Sequence, residues 1–164
     1  MKISVRVHTR GLRRADKIIS DLLSRVNNPG PVIEDIGAYM VRSIKNRIFS
    51  SKTDPDGKPW ARNSDLTQKL KGFDSPLFHT GYLLKSIRVA DADREGFTLS
   101  AADYGGYAQL GVKNMRGRYQ RRDRKGIPAR KFLGLSRENK VRIRKMLRDY
   151  ILTGHDSIGD EFGG

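Results

Sequence analysis

The amino-acid sequence predicts a single α+β domain, in which a small antiparallel sheet packs with two or three longer helices and carries a basic extended loop. Its 164 residues are the length of one ordinary domain. Apolar residues recur at three- and four-residue steps in two early segments and one late segment, which is typical of amphipathic helices. Two short strand-like segments lie between them. This order of helices, strand pair and helix favours a small antiparallel sheet over a doubly wound parallel one.

The first elements are a strand and two helices. Ile3, Val5 and Val7 alternate with polar residues and predict a short half-buried strand. A helix of about four turns follows, with an apolar stripe that consists of Leu12, Ala15, Ile19, Leu22 and Val26. Pro31 suits the first turn of a second helix, whose stripe consists of Ile33, Ile36, Met40, Ile44 and Ile48. The two helices are expected to form an antiparallel pair across a short turn.

The middle of the chain holds shorter predicted elements. They are a tight loop at 54–59 that delivers Trp60, a helix at 64–71, a helix or helix-to-strand transition at 82–87, strands at 87–92 and 97–101 joined in a hairpin, and a helical turn at 104–110. Ser136 is the predicted N-cap of a final helix at 137–152. The apolar face of that helix consists of Ile143, Met146, Leu147, Tyr150 and Ile151. Residues 1–152 therefore form one predicted domain with a flexible basic loop at 113–126, and 153–164 a disordered, acidic and glycine-containing tail.

The positive charge is concentrated in one region. The net charge is +15, and the segment 113–148 contributes +13 of it, from fifteen Lys or Arg against Asp123 and Glu138. Such a field attracts polyanions or an acidic protein surface. Three interpretations stay open: nucleic-acid binding with Tyr119 available for stacking, a protein interface whose loop orders on binding, and a solvated loop and helix face.

Composition and motifs argue against an enzyme. The chain has no cysteine, and its histidines His8, His79 and His155 lie far apart.

The sequence also argues against a membrane protein, because no apolar run approaches the roughly 18 residues of a membrane span. The N-terminus has no apolar signal core, so a soluble cytoplasmic domain is expected. No metal, cofactor or small-molecule substrate is predicted.

Three weaker motifs favour structural interpretations. The sequence Asp54-x-Asp56-Gly57 is interpreted as a turn rather than half of a calcium loop, because no glutamate stands at the twelfth position. The glycine-rich stretch 105–111 lacks a phosphate-loop ending and predicts a site of tight packing. His79 is interpreted as a partly buried structural histidine.

Four stretches in series resemble one known family. They are Asp-Pro-Asp-Gly-Lys-Pro-Trp at 54–60, Leu-Phe-His-Thr-Gly-Tyr-Leu-Leu-Lys-Ser-Ile at 77–87, Tyr-Gly-Gly-Tyr-Ala-Gln-Leu-Gly at 104–111 and Ile-Pro-Ala-Arg-Lys-Phe-Leu-Gly-Leu at 127–135. Their order and spacing resemble the phage virion morphogenesis family, which includes tail completion proteins and related proteins of Mu-like phages, over roughly residues 10 to 150.

The resemblance implies a structural, non-enzymatic virion protein without a cofactor, acting in tail completion or head–tail joining. Its implied partners are phage tail or neck proteins and further copies of itself in a ring, commonly a hexamer. It implies location in the tail or neck of the virion, after assembly in the cytoplasm of the bacterial host. The alternative function is nucleic-acid binding through the Arg- and Lys-rich region 113–148, and non-specific DNA contact is possible in either case.

Candidate interaction residues follow from the charge and from the quoted stretches. Trp60 is a candidate anchor for a neighbour, with packing inside its own subunit as the alternative. Arg130 is expected to pair with a carboxylate of its own fold or of a neighbour. Together with Lys131, it is expected to face away from the docked Phe132. The loop is expected to act as an arm that reaches a neighbouring subunit, a tail tube protein or DNA. Its candidate residues are Arg116, Arg118, Arg121, Arg122, Arg124 and Lys125.

Overall fold

The computed structural model describes residues 9–113 and 126–154, with side chains from residue 13 onward. This part of the chain forms six α-helices, a π-helical turn and one two-stranded antiparallel sheet, which confirms the α+β class. The elements in order are α1 (Thr9–Asn27), α2 (Gly30–Asn46), the π-helical turn (Arg47–Ser51), α3 (Asp65–Lys71), α4 (Tyr82–Ser86), β1 (Arg88–Ala92), β2 (Phe97–Ser100), α5 (Gly105–Leu110) and α6 (Arg137–Thr153). The predicted first strand, the segment 114–125 and the segment 155–164 lie outside the described residues.

Helix α2 is the centre of the fold. Its buried apolar side chains follow one row of four-residue steps, namely Val32, Ile36, Met40, Ile44 and, in the π-helical turn, Ile48. Ile33, predicted as the first member of the stripe, lies one residue off this row and is only partly buried. The row keeps one side of the helix apolar over its whole length, because residues four apart lie one above the other.

The sheet covers one side of α2. β1 pairs with β2 in the antiparallel register Val89↔Leu99 and Ala92↔Phe97, with an irregularity between Val89 and Asp91, so the predicted hairpin is confirmed. Gly37 allows β1 to lie close to α2, since a Cβ at this position would lie 3.0 Å from Cγ2 of Val89.

Helix α6 also packs on α2 and runs in the opposite direction. Its first turn lies beside the end of α2, where Nδ2 of Asn139 donates to Oγ of Ser43 at 2.8 Å. Its last turn lies beside the start of α2, where the hydroxyl of Tyr150 donates to the carbonyl of Asn28 at 2.8 Å. Ser136 and Asn139 form a reciprocal capping box, which confirms the predicted N-cap. The helix ends at Thr153, one residue later than predicted.

Helix α1 forms as its periodicity predicts, but the predicted antiparallel pair with α2 is wrong. It is held at its C-terminal end by Arg25, whose guanidinium donates to the carbonyls of Ile151 and Leu152 at 3.0 and 2.9 Å. Every side chain from Arg13 to Asp21 is exposed. The turn at 28–29 therefore carries α1 away from α2, so that its contacts are with the end of α6.

No helix in the described part of the chain combines the length and the apolarity that crossing a bilayer requires.

Candidate functional site

The four quoted stretches meet in the hydrophobic core, to which they contribute Trp60, Leu83, Ile87 and Phe132 as buried side chains and Ala108 as a partly buried one. A Cβ atom on Gly105 would lie 3.3 Å from Cζ of Phe132 and 3.4 Å from Cδ1 of Leu83, so this glycine allows α5 to pack tightly against these two side chains. At Gly134 a Cβ would lie 2.8 Å from Cγ of Pro55, so the loop at 54–59 packs against the turn after Phe132. The tight-packing interpretation of the glycine-rich stretch is confirmed, and the motif residues build the core.

Two polar side chains fix the backbone around Phe132. Arg47 donates to the carbonyls of Phe132 and Gly134 at 2.7 and 3.1 Å and to Oδ1 of Asn139 at 3.1 Å. Burial lowers the pKa of Arg47, but a guanidinium stays charged, and its bonds to carbonyls are charge-assisted. Gln109 accepts from the amides of Phe132 and Leu133 at 2.9 and 3.0 Å and donates to the Leu133 carbonyl at 3.1 Å. Neither residue was predicted as important.

Trp60 and Arg130 are used within their own chain. Both are 9% exposed. Nε1 of Trp60 donates to the carbonyl of Lys131 at 3.2 Å. Arg130 was expected to pair with a carboxylate and to face away from the docked Phe132. Instead it points inward and donates to the carbonyls of Ala61 and Arg62, both at 3.0 Å, and its pKa is lowered by burial.

The loop at 54–59 is a self-contained turn. Oδ1 of Asp54 accepts from the amides of Asp56 and Lys58 at 3.0 and 2.8 Å, and Gly57 has a φ of +86° that favours glycine. The structural interpretation is thus confirmed. Among the described residues no cluster of three potential metal-ligating side chains occurs.

A basic ridge runs along the outer side of α6. Its exposed members are Arg137, Lys140, Arg144 and Arg148, which fall at helical spacing on one side and span about 16 Å. Arg148 also pairs with Asp149 at 2.9 Å. Lys113 and Lys131 are exposed at the two flanks of the predicted arm. The predicted arm residues Arg116, Arg118, Arg121, Arg122, Arg124 and Lys125 lie outside the described residues.

The base of the predicted arm is closed. The amide of Val112 donates to the carbonyl of Ile127 at 2.9 Å in an isolated antiparallel bridge. Gly111 has a φ of +73°, and a Cβ there would lie 2.7 Å from the amide nitrogen of Ala129. The chain therefore leaves and rejoins the body at a single, tightly packed point.

An exposed aromatic surface lies at the opposite end of α2 from α1. The rings of Phe49 and Phe78 meet edge-to-face with centroids 5.8 Å apart, and Phe73 lies 6.2 Å from Phe78. Lys71 fixes this loop by donating to the carbonyl of Phe78 at 2.7 Å, and burial lowers the pKa of Lys71. His79, predicted to be partly buried, is exposed and lies 6.4 Å from the ring of Phe73.

This surface contains an open groove of about 650 Å³, which we call the aromatic groove. Its lining residues are Lys45, Asn46, Phe49, Phe78, Thr80, Gly81, Leu84 and Lys85. The floor is apolar and the two lysines stand at its sides. One sequence signal was the position of Phe49, which follows Ile48 of the predicted stripe and is therefore offset from that stripe around the helix.

The sequence profile of the Phage virion morphogenesis family matches residues 11–152, which is most of the chain. All four stretches on which the resemblance was based lie within the matched range, so the predicted resemblance is confirmed. No curated protein and no solved structure matches the chain significantly.

Proposed function

The chain belongs to the phage virion morphogenesis family, and on that premise we propose that it acts in tail completion or head–tail joining as a subunit of a ring. Membership makes it a virion-associated structural protein whose partners are phage proteins. The location in the tail or neck, the ring and the absence of catalysis belong to the proposal.

The observation that carries the proposal is the amount of exposed apolar surface. Among the described residues, fifteen large hydrophobic side chains are exposed, against ten hydrophobic side chains in the buried core. Single exposed hydrophobic residues are ordinary, but contiguous ones mark interaction sites. Six of the fifteen lie on two surfaces, namely Ile18, Ile19, Leu23 and Val26 on α1 and Phe49 and Phe73 at the aromatic surface. A subunit that contacts neighbours on more than one surface needs separate apolar surfaces of this kind.

The test is electron microscopy of a lysate from a phage or prophage that carries a stop codon in this gene. We expect filled heads lying apart from tails, and rescue by the wild-type gene supplied in trans. Tails of aberrant length with normal joining would assign the protein to length control instead. Normal, infectious particles would refute the proposal.

The arm is expected to contribute to joining. Replacing Arg121, Arg122 and Arg124 with alanine removes three of the thirteen net positive charges of the segment 113–148. We expect a lower yield of joined particles with an unchanged fold. An unaffected yield would show that the arm has no part in joining.

The second candidate function is nucleic-acid binding, and the basic ridge favours it. Four cations at helical spacing can meet successive phosphates, and such binding weakens steeply as salt rises. The test compares Lys140→Glu/Arg144→Glu with a control, Arg88→Glu/Arg94→Glu, which makes the same charge change on the exposed hairpin. We expect DNA affinity to fall at least tenfold further in the ridge variant. Equal losses would show only the attraction of a polycation.

A further inference from the structure

Helix α1 leaves an apolar stripe uncovered. Ile18, Ile19, Leu23 and Val26 are each more than half exposed, at 52 to 57%. Ile19, Leu23 and Val26 follow one another at the spacing i, i+4 and i+7, by which an amphipathic helix inserts into an apolar groove. A stripe of this kind is normally covered, because aliphatic side chains that stay in water forgo the favourable free energy of burial.

The aromatic groove is the complementary surface on the same chain. Its floor consists of Phe49, Phe78 and Leu84, and no described segment of the chain occupies it. Phe49 is 62% exposed although it contacts Phe78. The groove is thus a shallow, open apolar site on which the apolar face of a helix could lie.

The two surfaces lie at opposite ends of α2. Arg25 and Asn28 fix the end of α1 beside the start of α2, whereas Lys45 and Phe49 bring the groove to the end of α2. The 17 residues of α2 separate them by about 25 Å. Since the side chains from Arg13 to Asp21 are exposed, α1 is not seated in the groove of its own chain.

We propose that the α1 stripe of one copy docks into the aromatic groove of the next copy. This inference rests on the proposed ring and names the contact that builds it. Different surfaces at opposite ends of a subunit make a head-to-tail interface, which closes into a ring when the rotation allows.

One ion pair is available between α1 of a second copy and the groove. The residues that line the groove include Lys45 and Lys85 and no carboxylate. From residue 13 onward, α1 carries Asp16 and Asp21 beside Arg13, Arg14, Lys17 and Arg25. Asp16 lies one turn before Ile19, beside the stripe, and offers an acidic partner for Lys45 or Lys85 at the groove.

The first experiment is sedimentation velocity of the full chain and three variants. Ile19→Asp/Leu23→Asp changes the stripe, Phe49→Asp changes the groove, and Val141→Asp is the control on another exposed apolar residue. We expect the wild type and the control to be oligomeric, and both the stripe and groove variants to be monomeric with unchanged circular dichroism. A monomeric wild type, or a groove variant that stays oligomeric because α1 pairs with α1, would overturn the proposal.

The second experiment mixes the stripe variant with the groove variant. The first keeps an intact groove and the second an intact α1, so the mixture is expected to form a heterodimer that grows no further. A mixture that stays monomeric would overturn the inference. The stop-codon lysate is independent of both experiments. A joining defect with a monomeric chain would leave the role in joining standing and remove this contact together with the ring that it builds.

Discussion

Helices α1 and α2 are neighbours in the chain and similar in length, yet only α2 buries its apolar stripe. The stripe of α2 is 0 to 4% exposed, whereas Ile18, Ile19, Leu23 and Val26 of α1 are 52 to 57% exposed. The same spacing of apolar residues predicts both helices. The difference shows that periodicity identifies an apolar face without identifying what covers it. For α2 the cover is the sheet and α6, and for α1 we infer that it is a second copy.

The comparison of α1 with α2 predicts the largest difference in the free energy of unfolding for truncations in their two apolar stripes. Ile44→Ala removes a fully buried side chain from α2 and should lower the free energy of unfolding by about 2–5 kcal/mol. Ile19→Ala should change it by less than about 0.5 kcal/mol, because the side chain is exposed in the single chain. Urea unfolding at a concentration where the chain is monomeric measures both. Equal losses would show that α1 is packed within its own chain.

Replacing a buried and an exposed arginine should change the free energy of unfolding by amounts that differ nearly as much as those for the two isoleucines. Arg47→Leu removes three hydrogen bonds and leaves buried carbonyls of Phe132 and Gly134 without their donor, at a cost of about 3 kcal/mol. Arg137→Leu is the matched control on the exposed ridge and should stay within about 0.5 kcal/mol. The same urea titration checks the pair, and a stable Arg47→Leu variant would contradict the assignment of Arg47 as the link between α2 and the segment around Phe132.

Most of the fold could be predicted because its signals are local. The stripe of α2, the cap at Ser136 and the hairpin each depend on residues close together in the chain. Arg47 could not be assigned in this way, since its acceptors on Phe132 and Asn139 are 85 and 92 residues away. One signal was available, because Arg47 stands seven residues after Met40 and so falls on the buried side of α2.

The candidate sites were harder to predict, because residue type does not reveal where a side chain points. Trp60 and Arg130 are typical of interfaces, yet their polar groups are bonded to carbonyls of their own chain. Phe49 and Ile19 look like ordinary members of amphipathic helices, yet they are exposed. Exposure depends on how distant elements pack, and only the three-dimensional arrangement supplies it.

Adjacent glycines in α5 repeat the comparison at the scale of one residue. Gly105→Ala would bring a Cβ to 3.3 Å from Phe132 and should cost about 1 kcal/mol. Gly106→Ala meets nothing within 4 Å and should stabilise the helix by about 0.5–1 kcal/mol, because alanine loses less backbone entropy. Thermal unfolding should therefore give shifts of opposite sign, and shifts of the same sign would contradict the packing of α5 on Phe132.

The smallest effect is expected from the exposed ion pair that precedes the aromatic surface. The Arg62 guanidinium, 2.7 Å away, and the amide of Asn63 hold the pKa of Asp74 below its ordinary value of 3.8. A lowered pKa in the folded state stabilises the fold above the ordinary value, and this contribution is lost as pH falls through the lowered pKa. Asp74→Asn should therefore unfold at lower urea than the wild type at about pH 6, and the gap should narrow at about pH 3.

Arg62→Gln is the matched test from the other side of the pair. This variant should also unfold at lower urea than the wild type at about pH 6, and the difference should also narrow at about pH 3. The effect stays below those of Arg47 and Ile44 because Arg62 is 80% exposed and water screens an exposed pair. Added salt should shrink it further, whereas the loss in Arg47→Leu should hardly change, since buried hydrogen bonds are screened much less. If the difference in urea unfolding between Asp74→Asn and the wild type did not change with pH, Asp74 would stabilise the fold as a hydrogen-bond acceptor for the Asn63 amide and not through its charge. The difference in their contribution to the free energy of unfolding between the buried and the exposed parts of the molecule would then come from packing alone.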